Sequence, residues 1–205
     1  MEETEKINEK PEEKKEKKPQ DRRVRKTKAQ LQHCLAELMK TKRINEITVK
    51  ELTAMSDLNR GTFYLHYNDV FDLLEQTETE LLTEFEHALS KFDISISQDR
   101  PALVLQEVFT LIKENKDMVS VLISDNGDLN FVMALRQIVE KRCLSSMMKQ
   151  YHVKNSENFN FFFQFLLSGS IGIVQYWIQT NCHETPAELA RLTEQIYQKG
   201  AGVLD

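Results

Sequence analysis

The spacing of apolar and polar positions changes several times along the chain. Past Met1, residues 1–20 have Ile7 as their one large apolar side chain and are otherwise mostly Glu and Lys. Such a segment buries too little surface to order itself, and it reads as a disordered tail. From Arg22 a helical period begins. Leu31, Cys34, Leu35 and Leu38 follow the i, i+3, i+4, i+7 spacing of one buried face, and the pattern stops near Thr41 and Lys42. Residues 48–55 read TVKELTAM, in which Thr48 and Glu51 form a capping box that starts a short helix. Asn59 is placed to cap another helix from Arg60. Phe71, Leu74, Leu81, Leu82, Phe85 and Leu89 then fall largely on one side of a long helix. After a break at ISISQD, Pro101 opens a helix through Val104, Val108 and Leu111, and a short one covers Asp117 to Ser124. Leu135, Ile138, Val139 and Arg142 belong to a longer helix ending near Tyr151. Residues 159–178 are apolar nearly all round, and Thr185 with Glu188 caps a last helix over Leu189, Leu192 and Ile196. The pattern predicts an all-α chain of about nine helices with no strand.

Composition agrees: only four Pro and six Gly stand in 205 residues, and β-branched clusters are short. The net charge of −5 is unevenly spread. Lys and Arg outnumber acids ten to seven in residues 22–75; acids lead eight to six in 1–21 and seventeen to eleven in 76–205. A basic block on an acidic body suits a small nucleic-acid-binding module. The expected organisation is a charged tail (1–21), a DNA-binding domain (22–75) and a regulatory and dimerisation domain (76–205). Cys34, Cys143 and Cys182 are odd in number and far apart, so no disulfide framework is expected. With no apolar signal at the N-terminus, a cytoplasmic location is expected.

Residues 56–69, SDLNRGTFYLHYND, join two short helices through a tight turn, which is the helix-turn-helix layout. Phe63 and Tyr67, four apart, are expected to face inward and hold the second helix against the first long one. Arg60, Thr62, Tyr64 and His66 are then left for the major groove and its phosphate walls, and Gly61 permits close approach of the backbone. With Thr48, Leu52-Thr53, the turn Ser56-Asp57-Leu58-Asn59 and the block Gly61-Thr62-Phe63-Tyr64 followed by His66-Tyr67, residues 22–75 resemble the DNA-binding domain of the TetR family of transcriptional regulators. The variant NRGTFYLHYNDVFDLLE, with YWI and TPAELA near the C-terminus, is similar to regulators of the dihydroxyacetone kinase type. Three positions depart from the family pattern. Asp57 replaces the usual Gly of the turn and is expected in a left-handed conformation. Asn59 replaces Ser, an equivalent cap. Val70 replaces a Lys that often meets phosphate.

What the resemblance implies is as follows. Thr48 and Lys50 contact DNA from the first helix of the motif, and Asn59, Arg60, Gly61, Thr62, Tyr64 and His66 from the second. Arg22, Arg23, Arg25 and Lys26 lie along the phosphate backbone. A homodimer reads two half-sites of double-stranded DNA about 34 Å apart. The dimer interface uses the last two helices, with Ser168, Gly172, Ile173, Tyr176, Leu189, Leu192 and Ile196. A small-molecule effector binds in the body, where Phe85, Phe109, Met118, Phe131, Phe162 and Phe165 are the candidate lining. The usual mode is repression.

Gln164, Ser168, Ser170 and Gln175 interrupt the apolar run 159–178, so a membrane span is not expected. Cys182-His183-Glu184 has no further ligand in register, and neither a metal nor a cofactor is expected. No phosphate loop or nucleophilic triad is present, so an enzyme is not expected. A second reading stays open: a helical adaptor that keeps a regulator's fold and acts through a partner protein.

Overall fold

The computed structural model describes residues 19–91, 101–124, 127–150 and 156–201. Among them are nine α-helices and no strand: α1 (Pro19–Met39), α2 (Val49–Met55), α3 (Arg60–Tyr64), α4 (Val70–Ser90), α5 (Pro101–Glu114), α6 (Lys116–Leu122), α7 (Leu129–Gln150), α8 (Ser156–Gln179) and α9 (Pro186–Ala201). A single three-ten turn, Ile44–Glu46, lies between α1 and α2. The first helix starts at Pro19, three residues earlier than the apolar period indicates, because a helix needs only tolerant residues to extend beyond its packed face. Of the expected tail, 1–21, residues 1–18 lie outside the described residues, and 19–21 belong instead to α1.

The caps follow the side-chain chemistry. The Thr48 hydroxyl accepts from Glu51 N at 3.2 Å, and Glu51 Oε2 accepts from Thr48 N at 3.0 Å. Asn59 Oδ1 accepts from Gly61 N at 2.8 Å, and Asp69 Oδ1 accepts from Asp72 N at 2.8 Å. The Thr185–Glu188 box opens α9 in the same way. At the end of α8, Asn181 and Cys182 both adopt left-handed backbone, with φ of 57° and 51°. This turns the chain back, and the Trp177 indole N–H fixes the turn by donating to Glu184 O at 3.1 Å. Ahead of α7, Gly127 admits no side chain: a Cβ there would stand 2.2 Å from Leu122 O.

One core cluster runs from the N-terminal helices into the body, through Leu31, Leu35, Leu52, Phe63, Leu73, Phe109, Leu122, Phe131 and Trp177. A second gathers Cys143, Met147, Phe159, Phe162, Phe163 and Leu166 where α7 and α8 meet. In the main contacts, α5 lies along α9, α4 along α7, and α1 against α6. One expectation at the start of α4 is corrected. Phe71 is exposed and takes no part in the buried face, whereas Val70 is 4% exposed and belongs to the core.

Candidate DNA-binding surface and ligand cavity

Helices α2 and α3 and the turn between them are held from behind. Phe63 is fully buried and Tyr67 nearly so, and their rings lie 5.7 Å apart. Gln30 of α1 donates to Ser56 O at 2.5 Å, which ties the turn to the first helix. Asp57 takes the left-handed conformation expected of the turn, with φ of 50°. Lys28 sits over the Tyr67 ring at 5.7 Å and reaches Glu80 at 3.4 Å. Burial, with Glu80 and Asp72 nearby, pushes the Tyr67 phenol up to about 12, so it stays neutral.

What remains faces outward. Lys50, Asn59, Arg60, Gly61 and Tyr64 are exposed, and Thr62 and His66 are half-buried. Tyr64 is 59% exposed, its ring meeting Phe63 edge-on at 5.5 Å, so it is not a core residue. Arg22, Arg23, Arg25 and Lys26 are exposed near the start of α1. Nearby ion pairs take Lys28, Lys40 and Lys42 instead. Arg22, Arg23, Arg25, Lys26, Lys50 and Arg60 pair with no acid among the described residues. Exposed cations that no acid among the described residues neutralises are what a phosphate-binding surface requires. Thr48 differs from the others. Its hydroxyl and backbone N–H are both committed to Glu51, at 2.9 and 3.0 Å. Lys42 also holds that carboxylate, at 2.5 Å. Together the bonds from Lys42 and Thr48 pull the Glu51 carboxyl down to about 2. A phosphate only accepts hydrogen bonds, so Thr48 has no donor left to offer it while the cap is closed.

The body encloses a cavity of about 180 Å³ between α4, α5, α6, α7, α8 and α9. An apolar cavity of about 150 Å³ holds a benzene ring, so this one has room for a small organic ligand. Phe85, Phe109 and Phe131 line it, joined by Val139, Phe163 and Leu167. Polar groups are few: Arg136, Ser170, Glu194, Tyr197 and Gln198. Arg136 donates to Ser168 at 3.3 Å. Three of the expected lining residues lie elsewhere. Met118 is buried but packs into the main core, and Phe162 turns toward α9, where a Cβ at Gly200 would stand 3.3 Å from its ring. Phe165 is 67% exposed on the outer side of α8. About half a turn of helix separates the inner and outer faces, and an all-apolar run gives no sign of which is which. Cys143 lines the cavity as well, and burial pushes its thiol up to about 12, which makes it unreactive.

The outer face of α8 carries Phe161, Phe165, Ser168, Gly169, Gly172 and Tyr176, all exposed at helical spacing. Neither Gly169 nor Gly172 has any atom within 4 Å of an added Cβ. Leu192 and Ile196 of α9 are exposed too. Two residues expected in this face are instead turned inward: Leu189 is buried in the chain's own core, and Ile173 packs against it. By length and composition alone, Glu157–Gln179 would suffice to cross a membrane, but one side of it packs against the helices of the body. His183 Nδ1 stands 3.9 Å from Glu184 Oε1, but both are exposed while Cys182 is buried, so the three do not converge as a ligand set. A different trio, His33, Glu37 and Asp117, does come together where α1 meets α6.

Residues 99–199 match a family model described as the transcriptional regulator C-terminal region, TetR_C_8. No curated protein matches the chain in sequence. The fold is similar to that of a TetR transcriptional regulator from Streptococcus agalactiae 2603V, at 24% identity over 87% of this chain and 97% of that one, with a TM-score of 0.54. It is similar to the dihydroxyacetone kinase operon activator DhaS at 14% identity, over 87% of this chain and 98% of that one, with a TM-score of 0.55. It is also similar to the regulator FadR from Bacillus subtilis, solved in complex with stearoyl-CoA. That likeness has 15% identity over 84% of this chain and 98% of that one, and a TM-score of 0.59.

Proposed function

This chain belongs to the TetR family of transcriptional regulators, by its C-terminal region and its fold, and we propose that it acts as a cytoplasmic homodimer that represses transcription from a palindromic operator. In this reading residues 22–75 are the DNA-binding domain and 76–205 the regulatory and dimerisation domain. The observation that carries it is the outward set on α2 and α3. Lys50, Arg60, Thr62, Tyr64 and His66 stand on a motif braced by buried Phe63 and Tyr67, and the exposed Arg22, Arg23, Arg25 and Lys26 pair with no acid among the described residues. Arg60 reads a base edge, and Arg22, Arg23, Arg25 and Lys26 grip phosphates. The outer stripe of α8 with Leu192 and Ile196 meets its copy in the partner, since two half-sites need a rigid two-fold joint.

The effector is a small, mainly apolar molecule taken into the cavity behind Phe85, Phe109 and Phe131, with its polar end toward Arg136 or Glu194. It lowers DNA affinity by binding better to the arrangement that does not fit the operator. The experiment is selection from random duplex DNA, followed by titration of the enriched site at two salt concentrations. A palindrome with a steep salt slope is expected. No enriched sequence, with weak binding at low salt alone, would overturn the reading and favour an adaptor that works through a partner protein.

A further inference from the structure

The fold brings together three side chains that the sequence reading left apart. His33 and Glu37 are four residues apart on α1, so they rise from one side of that helix. Asp117 lies in the first turn of α6, which packs directly on α1. His33 Nδ1 stands 3.3 Å from Asp117 Oδ2, and one ligand atom from each of the three residues lies within 4.8 Å of the others. Donors about 2.1 Å from a tetrahedral ion stand about 3.4 Å from one another, so the histidine and the aspartate already have that separation and Glu37 needs a small rotation. We propose that His33, Glu37 and Asp117 bind a first-row divalent transition ion, with Zn2+ as the representative, and that the ion ties α1 to α6.

The donor set fixes the class of ion. One imidazole nitrogen with two carboxylates suits Zn2+ and its neighbours, whereas Mg2+ and Ca2+ take oxygen alone. All three side chains are partly exposed, which leaves a path for the ion and a position for water. Lys40 competes for the place. Its ammonium bonds Glu37 and lies 4.0 Å from Asp117, so it neutralises the carboxylates when no ion is bound. Being 43% exposed, it swings away when an ion enters. The tie has a reach beyond its own atoms: α1 carries Gln30, which holds the turn of the DNA-binding motif, and α6 carries Val119, which lines the cavity. A metal here joins the two regions that regulation has to connect.

The test is calorimetric titration of Zn2+ into the untagged, chelator-treated full chain, with variants checked for folding by circular dichroism. One ion per chain is expected, with no competition from Mg2+. His33→Ala and Asp117→Asn each weaken binding at least ten-fold, and Lys40→Ala tightens it severalfold. Co2+ in place of Zn2+ gives the visible absorption of a four-coordinate site, lost in His33→Ala. No saturable binding overturns the proposal. So does an affinity that His33→Ala and Asp117→Asn leave unchanged, because the ion then sits at another histidine. Failure of Lys40→Ala to tighten binding equally counts against the site. No DNA enters this titration, so its outcome is separate from that of the operator search.

Discussion

Arg60 is the first residue of α3, directly after the cap formed by Asn59, and its exposed guanidinium has no acid partner among the described residues. That position and freedom are what a base-reading arginine needs. Arg60→Ala is expected to cost about 1–3 kcal/mol of specific binding and to relax preference at one base position, measured by titrating the operator and its single-base variants. An equal loss on every sequence would mean that Arg60 holds phosphate only. Thr48 shows the opposite case. The residue was a candidate contact by resemblance, yet its donors are spent on Glu51, and only the side-chain geometry reveals this. Asp57 was legible in advance, because a turn position that ordinarily takes Gly demands positive φ whatever residue fills it.

At the scale of elements, α4 links the DNA-binding helices to the body and carries a carboxyl in an unusual state. Glu78 is half-buried, and its Oε1 has no hydrogen-bond partner. Burial, then the charges of Asp128 and Glu75, pushes it from its ordinary 4.5 up to about 7. A carboxyl raised on folding contributes stability that is fully present below about 4.5 and is lost as pH rises through about 7. Glu86 works in the other sense. The Arg142 hydrogen bond at 2.6 Å lowers it, so its contribution is present above the ordinary value and is lost in acid. Glu78→Gln should therefore flatten the decline in melting temperature between pH 5 and pH 8 while leaving the acid limb in place. Identical slopes for the two proteins in thermal melts would show that Glu78 is not desolvated on folding.

For the whole molecule the decisive feature is the outer face of α8. Phe161, Phe165 and Tyr176 are large rings left in water, and Gly169 and Gly172 leave room between them for a second helix. Exposed apolar surface of this kind marks a partner's place. A charge introduced at Ile173 is a poor probe, since that side chain supports the chain's own core. Gly172→Arg is the better one: a Cβ at that exposed position meets nothing within 4 Å in the chain. Sedimentation is expected to change from dimer to monomer with the circular dichroism unchanged. A persistent dimer would remove this face from the interface.

The sequence by itself determined the helices, their caps and the helix-turn-helix, because these depend on local periodicity and on side chains that bond their own backbone a few residues away. It also marked Phe63 and Tyr67 as the inner pair, since a spacing of four along a helical turn leaves one face to the core; Tyr67 lies just past α3, with its N–H donating to Phe63 O at 3.0 Å. It did not determine the facing of α8, where an apolar run offers no contrast between inside and outside; only packing against α7 and α9 placed Phe163 inward and Phe165 outward. Nor did it bring His33 and Glu37 to Asp117, which lies eighty residues further on from Glu37. Contacts between helices distant in sequence are made by the tertiary fold, and the cavity and the joining of α1 to α6 at Asp117 depend on such contacts.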